Sequence, residues 1–249
     1  MSFKRPYVLT IAGFDPSSGA GLTADVKTFE KLKCYGLSVC TAITVQNDIN
    51  FKECNWTSFE TIEAQIHVLF ERFDIKFVKI GIVENWTVLN KIIDLLMSKN
   101  SSIKIILDPI LASSSNFQFH PDDTKELDEV LNKIFLLTPN YIEIKSLFSD
   151  KDVDGTISHI QHKTNLFLKG GHRKDAIGKD ILYIKEEKQY VFNPKTHNIS
   201  GKHGSGCVLS SAITSYLALD FPIVKSCYRA KRYTERFLRS NKSLLGYHS

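Results

Sequence analysis

Short apolar runs alternate with longer stretches in which apolar residues recur every three or four positions, a rhythm that predicts strands and helices in turn. Tyr7–Ala12 is a β-rich run that stops at Gly13-Phe14-Asp15-Pro16-Ser17-Ser18-Gly19-Ala20-Gly21, a loop dense in turn formers. A helix is expected from about Leu22 to Leu32, with Leu22, Val26, Phe29 and Leu32 on one face and Gly36 as its stop. Ser38–Val45 reads as a second strand closed by Gln46-Asn47-Asp48, and Ser58–Phe73 as a helix with Phe59, Ile62, Ile66, Leu69, Phe70 and Phe73 at helical spacing. The rhythm repeats through strands at Phe77–Ile80, Ile103–Leu107, Phe135–Leu137 and Leu166–Leu168, with helices at Val88–Met97 and about Lys125–Lys133. Ile181–Ile184 and Gln189–Phe192 flank Lys185-Glu186-Glu187-Lys188 and predict an antiparallel hairpin at a sheet edge. A further helix begins at Val208 and places Leu209, Ala212, Ile213, Tyr216 and Leu217 on one buried face. Strands alternating with amphipathic helices imply an α/β fold: a mainly parallel sheet, covered on both faces, with a small antiparallel edge hairpin. No repeat, linker or low-complexity tract interrupts it, so residues 1–249 are expected to form a single domain.

Composition narrows the class. The 249 residues are 43% hydrophobic and 24% charged, ordinary for a globular chain with a sizeable core. The net charge of +5 is spread over scattered lysines, which argues against nucleic-acid binding and suits phosphorylated small molecules. No apolar run is long enough to span a bilayer and no signal-peptide pattern opens the chain, so no membrane association and a cytoplasmic location are expected. Cys34, Cys40, Cys54, Cys207 and Cys227 form no C-x-x-C pair and read as reduced thiols.

The polar residues fall in a pattern. Asp15, Gln46, Asp108, Asn140 and Lys169 each stand just after the apolar part of a strand. In an open parallel sheet those carboxyl ends share the edge where ligands bind. Gly204-Ser205-Gly206-Cys207 precedes a helix, where free backbone N–H groups and the positive helix end can hold an anion. A thiol in that field is expected to have a lowered pKa and to serve as a base or nucleophile; the same residues also fit a glycine turn with a small buried cysteine. A phosphate site, a carboxylate and a lysine on one rim point to phosphoryl transfer. No Walker A pattern and no G-x-G-x-x-G after the first strand is present. His159 and His162 lack a nearby third metal ligand, and Asp25, one turn inside its helix, also fits a helix-dipole role.

These residues together resemble the ribokinase-like superfamily and, within it, the hydroxymethylpyrimidine/phosphomethylpyrimidine kinases of thiamin biosynthesis. The resemblance rests on Leu9–Asp25, Thr41–Asn47, Lys79-Ile80-Gly81, Leu107-Asp108-Pro109, Leu137-Thr138-Pro139-Asn140, Lys169-Gly170-Gly171-His172 and His203–Cys207, which follow in the family's order over nearly the whole chain. It implies a three-layer α/β/α fold and ATP-dependent phosphorylation of 4-amino-5-hydroxymethyl-2-methylpyrimidine, and of its monophosphate to the diphosphate. Most ribokinase-like enzymes carry aspartate where Cys207 stands. By resemblance, Cys207 is the base, Gly204, Ser205 and Gly206 form the anion hole, and Lys169 contacts the transferring phosphate. Asn140, Lys169, Gly171, Gly204 and Gly206 would bind ATP, Asp108 and Glu143 would support Mg²⁺, and K⁺ is a further candidate ion. Gly13, Ala20, Asp25, Gln46, Ile82 and Ile110 fall where the family binds its pyrimidine, and a homodimer is implied.

Several positions depart from the family pattern. Ser18 replaces a usual glycine, Ile142 and Lys145 replace a proline and an acidic residue beside Glu143, and Ile82 replaces a frequent methionine. The 148–165 segment looks shortened, which removes support for a helix there, and Asn116–Phe119 lacks the usual small residues. Two alternative functions remain: a pyridoxine/pyridoxal kinase of the same superfamily, and a catalytically silent ligand-binding protein.

Overall fold

The structure is a computed structural model that describes residues 5–111, 124–171, 177–195 and 201–249. Asn116–Phe119 and His172 lie outside the described residues. The first half runs β1 (Tyr7–Phe14), α1 (Gly21–Lys31), β2 (Tyr35–Gln46), β3 (Phe51–Trp56), α2 (Phe59–Phe70), β4 (Phe77–Ile80), α3 (Trp86–Lys99) and β5 (Lys104–Leu107). The second half runs α4 (Thr124–Leu131), β6 (Leu136–Leu137), α5 (Tyr141–Leu147), α6 (Val153–Gln161), β7 (Asn165–Leu168), β8 (Asp180–Tyr183), β9 (Gln189–Phe192), α7 (Ser205–Ala218) and α8 (Ile223–Arg239).

The strands form one sheet in the order β3-β2-β1-β4-β5-β6-β7-β8-β9. The six strands from β2 to β7 in that order are parallel, while β3 pairs antiparallel with β2 and the β8–β9 hairpin runs antiparallel beside β7. Side chains of successive strand residues point to opposite faces. On β5 and β7, Ile105, Leu107, Leu166 and Leu168 enter the core shared with α2–α6, while Ile106 and Phe167 enter the core shared with α7 and α8. Both faces are covered, which is why the parallel strands read as continuous apolar runs.

The sequence pattern missed four elements. β3 carries Lys52, Glu53 and Asn55, a polar composition that suits a sheet edge. α5 and α6 are short, and a helix does form within the 148–165 segment, N-capped by Asp152, whose side chain accepts from the Gly155 N–H. α8 buries Cys227, Ala230, Tyr233 and Phe237 at three- and four-residue steps. Gly36 is not the stop of α1. The chain leaves that helix through Lys33 at φ 67°, and Gly36 lies inside β2, where an added Cβ would come 3.2 Å from the Phe29 ring. α7 is buried on every side from Cys207 to Ala218, not on one face, because α1, α8 and the sheet surround it. Among the described residues no helix is long and apolar enough to cross a membrane, and all five cysteines are free of disulfides.

Candidate active site

β1 lies between β2 and β4, so the chain runs outward from β1 to β2 and β3 and then crosses back past β1 to β4. Such a switch point opens a crevice at the carboxyl ends of the strands. Gly13 near the end of β1, Gln46 at the end of β2 and Ile82 just after β4 stand at those ends, and Ile110 follows the next strand. A Cβ on Gly13 would come 2.5 Å from Ile82 Cδ1, so the bare backbone of β1 makes room for the isoleucine. Gln46 Nε2 donates to Thr44 Oγ1 (2.9 Å), and Thr44 Oγ1 donates to the Phe14 carbonyl (2.8 Å), which fastens the end of β2 to the end of β1. Gln46, Ile82 and Ile110 are half-buried and line the rim.

The Gly204 turn sits against the loop that follows β1. Gly204 has φ 70°, and a Cβ there would lie 2.0 Å from the Gly19 carbonyl oxygen and 2.7 Å from Ala20 Cα, so no other residue fits. Buried Asp15 ties the two segments together. Its carboxylate accepts from Ser17 N (2.8 Å), Ser17 Oγ (2.9 Å) and Ala20 N (2.9 Å), and His203 Nε2 lies 2.9 Å from its Oδ2. Burial works against the charge on Asp15, but His203 and these hydrogen bonds outweigh it and hold the pKa below the ordinary value.

Three charged groups converge on the other side of the turn. Lys169 Nζ donates to Asp108 Oδ1 (2.7 Å) and lies 3.8 Å from Glu143 Oε2. A Cβ on Gly206 would stand 3.4 Å from Lys169 Nζ and 3.9 Å from Asp108 Oδ2, so these groups border the helix N-terminus. Ser210 Oγ donates to Asp108 Oδ2 (3.1 Å) and Thr138 Oγ1 to Oδ1 (3.3 Å). Burial opposes ionisation of Asp108, yet Lys169 and Lys79 offset it and lower its pKa. Burial also opposes the charge on Lys169, and Asp108 and Glu143 more than compensate, raising its pKa. Glu143 is pushed up to about 7 by burial, with Lys169 opposing and the Asp108 charge adding to the rise. Glu143 also belongs to a capping box: its Oε2 accepts from Asn140 N (2.7 Å), while Asn140 Oδ1 accepts from Ile142 N (2.8 Å) and Glu143 N (2.9 Å). Asn140 thus spends its side-chain oxygen on the start of α5, and Gly171 stands exposed in the turn beyond Lys169.

Among the described residues no group of three or more His, Cys, Asp or Glu is gathered to hold a metal by itself. Mg²⁺ does not require one, since it keeps much of its water and binds through one or two carboxylates plus substrate phosphates. Asp108 and Glu143, both facing Lys169, match that donor set.

Two expectations need correction. Cys207, in the first turn of α7, does not have a lowered pKa. It is 6% exposed, and burial pushes its thiol up to about 11 although Lys79 pulls it down; the Asp25 and Asp108 charges add to the rise. Asp25 does not present an edge for a pyrimidine. It is 0% exposed and its oxygens are occupied: Thr10 Oγ1 (2.6 Å) and Lys79 Nζ (2.8 Å) donate to Oδ2, and Ser211 Oγ (2.6 Å) donates to Oδ1. Lys79 is itself fully buried, and its pKa is raised because Asp25, Cys207 and Asp108 overcome the cost of burial.

Lys79, Ser210, Ser211 and Thr10 were not foreseen as site residues. The available signal was polarity where the strand or helix pattern demands an apolar residue. Lys79 interrupts Phe77-Val78-Lys79-Ile80, and its neighbours Val78 and Ile80 enter the opposite core. His159 and His162 have separate protein partners: His159 Nε2 lies 2.5 Å from Asp128 Oδ1, and His162 Nδ1 lies 2.6 Å from the Ser158 carbonyl oxygen.

The family described as phosphomethylpyrimidine kinase matches residues 15–249. A hydroxymethylpyrimidine/phosphomethylpyrimidine kinase of Aquifex aeolicus is 34% identical over 248 residues, covering 95% of either chain. The structure of phosphomethylpyrimidine kinase from Clostridium difficile superposes with a TM-score of 0.77 at 32% identity, over 92% of this chain and 98% of that one. An ADP complex of Bacillus subtilis pyridoxal kinase superposes with a TM-score of 0.84 at 26% identity, over 97% and 94%. With a family match over most of its length and relatives above 30% identity, this chain belongs to the phosphomethylpyrimidine kinase family.

Proposed function

We propose that the chain is an ATP-dependent kinase that phosphorylates the hydroxymethyl group of 4-amino-5-hydroxymethyl-2-methylpyrimidine, and then the resulting monophosphate, in thiamin biosynthesis. The observation that carries the reading is the gathering of Lys169, Asp108 and Glu143 at the open N-terminus of α7, one residue from Cys207. Ser205 N donates to the Lys202 carbonyl (3.3 Å), while the N–H groups of Gly204, Gly206 and Cys207 have no intrahelical acceptors, and a transferring phosphoryl group supplies the missing oxygens. Lys169, held by two carboxylates, is aimed at the same place and neutralises charge as it develops.

Mg²⁺ bound with the nucleotide would neutralise phosphate charge, and Asp108 and Glu143 are the residues that would hold it. Gly13, Gln46, Ile82 and Ile110 form the crevice for the ring, with Gln46 supplying a polar contact and the two isoleucines apolar walls. Asp25 acts from below: it holds Lys79, whose charge favours ionisation of Cys207. Cys207 takes the proton of the hydroxymethyl group as its oxygen attacks phosphorus, a role that assigns the thiolate as general base. The ATP assignment agrees with the ADP carried by the pyridoxal kinase that shares the fold.

That pyridoxal kinase also supports a second reading, because its TM-score of 0.84 is above the 0.77 of the phosphomethylpyrimidine kinase structure. The test is mass spectrometry of products after incubation with ATP, Mg²⁺ and either the hydroxymethylpyrimidine or pyridoxal. Mono- and diphosphate of the pyrimidine, formed faster than pyridoxal phosphate, is the expected result. Faster turnover of pyridoxal, or no phosphorylated product, overturns it.

A further inference from the structure

The Gly204 turn is held from two sides. One side is the loop after β1, already described. The other is the 241–248 segment, which follows α8 and folds back over it. Lys202, two residues before Gly204, is buried, and its ammonium donates to Asn241 O (2.7 Å), Asn241 Oδ1 (2.9 Å) and Ser243 O. An ammonium has three N–H bonds, and this one short segment fills them all. His203 N then donates to Leu244 O (2.9 Å), and the side chain of Leu245 reaches Gly19, where an added Cβ would be 2.7 Å from Leu245 Cδ2.

The segment is itself well anchored. Asn241 Nδ2 and Ser243 Oγ both donate to Leu245 O (2.9 Å each), and Tyr247 N donates to Ser240 Oγ (2.8 Å). Gly246 packs on the Phe237 ring so closely that a Cβ would lie 2.5 Å from it, and Tyr233 OH lies 2.9 Å from His248 Nδ1. Both rings belong to α8, which packs along α7. The turn is therefore clamped between a β1 loop and a segment braced on α8, and its backbone N–H groups have a fixed direction.

We propose that the 241–248 segment is a working part of the site, and that Lys202 is a positioning residue which, through that segment, sets the direction of the Gly204 and Gly206 N–H groups for phosphoryl transfer. The proposal rests on the kinase reading above. Donors aimed in advance at developing charge lower the barrier without reorganising, and a small misplacement costs rate more than binding. Loosening the clamp is thus expected to reduce kcat and leave the pyrimidine KM nearly alone.

The experiment uses the full chain with Lys202→Met and, separately, His248→Ala, which frees only the far end of the segment. Steady-state kinetics with the hydroxymethylpyrimidine are combined with amide hydrogen exchange followed by mass spectrometry. Lys202→Met should lower kcat at least tenfold with KM within threefold of wild type, and His248→Ala should lower kcat two- to fivefold. Exchange should rise together in 203–206 and 241–247 while β1, β4 and β5 keep their protection. A kcat within twofold of wild type for Lys202→Met overturns the proposal. So does faster exchange in 241–247 with 203–206 unchanged. If Lys202→Met does not fold, the His248→Ala variant decides by the same criteria. A wild type that phosphorylates nothing refutes the kinase reading, while coupled exchange of the two segments still decides whether the clamp exists.

Discussion

Cys207 gives the sharpest test of mechanism, because its environment works against the role proposed for it. Burial pushes the thiol up to about 11. At pH 7 the difference is 11 − 7, so the thiolate is present in about one molecule in ten thousand, which costs about 5 kcal/mol at 1.36 kcal/mol per pH unit. If the thiolate is the base that accepts the hydroxymethyl proton, kcat/KM must climb about tenfold per pH unit across the whole range from pH 6 to 9. The sign follows from deprotonation: the active form accumulates as pH rises toward the pKa. The assay is kcat/KM for the pyrimidine, from coupled ADP release, at half-unit intervals of pH. Cys207→Asp supplies the internal control. An aspartate starts from near ~4 where a thiol starts from near ~8.5, and the same burial raises both, so this variant's profile should level off several pH units below that of wild type. Cys207→Ala should lose at least a hundredfold at every pH. A flat wild-type profile, or a Cys207→Ala enzyme with wild-type activity, refutes the thiolate-base argument and leaves positioning and the anion hole to carry the catalysis.

Further outcomes test the scaffold. Lys79→Met strands the Asp25 carboxylate without its cation in a dry interior, which should cost about 3–5 kcal/mol, read as a lower urea midpoint; the double variant Asp25→Asn, Lys79→Met should recover much of it. Gly204→Ala places a methyl 2.0 Å from the Gly19 carbonyl oxygen, so activity should fall more than a hundredfold while far-ultraviolet circular dichroism is unchanged. Ser18 holds φ 59°, a conformation that costs an L-residue about 1–2 kcal/mol; Ser18→Gly should therefore raise Tm by about 2–8 °C, and Ser18→Ala should not. Burial pushes the thiols of Cys34, Cys54 and Cys207 up to about 12, 11 and 11. Unfolded thiols ionise near ~8.5. Above that pH the unfolded chain binds fewer protons than the folded one, so the thiols' contribution to stability is level below pH 8 and stability should fall between pH 9 and 11, as read from urea midpoints over that range.

The parallel core and its active edge were legible because they follow local rules. An apolar strand flanked by a turn reads as such from its own residues, and the residue that ends it reaches the rim whatever the rest of the chain does. Asp108 and Lys169 were read that way, and the Gly204 turn from two glycines set just before a helix. β3 broke a local rule for a reason set elsewhere: it is polar because an edge strand has one open side. α8 did not break one, since Cys227, Ala230, Tyr233 and Phe237 recur at three- and four-residue steps between Lys225, Arg229, Arg232, Arg236 and Arg239, an amphipathic pattern that was readable and was missed. Asn140 and Glu143 fit equally well as ligands or as the two ends of a capping box, and spacing alone does not separate these.

The buried polar layer was illegible for a different reason. Ser210 and Ser211 are adjacent residues of one helix, yet their hydroxyls serve Asp108, 102 positions away, and Asp25, 186 positions away. No local pattern encodes such partners. Cys207 shows how this changes chemistry as well as packing. The helix N-terminus does favour a thiolate, but a helix dipole is worth at most about 2 kcal/mol, and the sequence does not reveal that the same first turn is walled in by α1, α8 and the sheet. Removing a thiolate from water costs more than the dipole returns, so the thiol moves up to about 11 even with a lysine behind it. Lys79 is what keeps that rise from being larger. A buried cation in an apolar strand is therefore better understood as the counterweight to Cys207 and Asp25 together than as a flaw in the core: without it, neither the carboxylate nor the thiolate has a charge to answer its own.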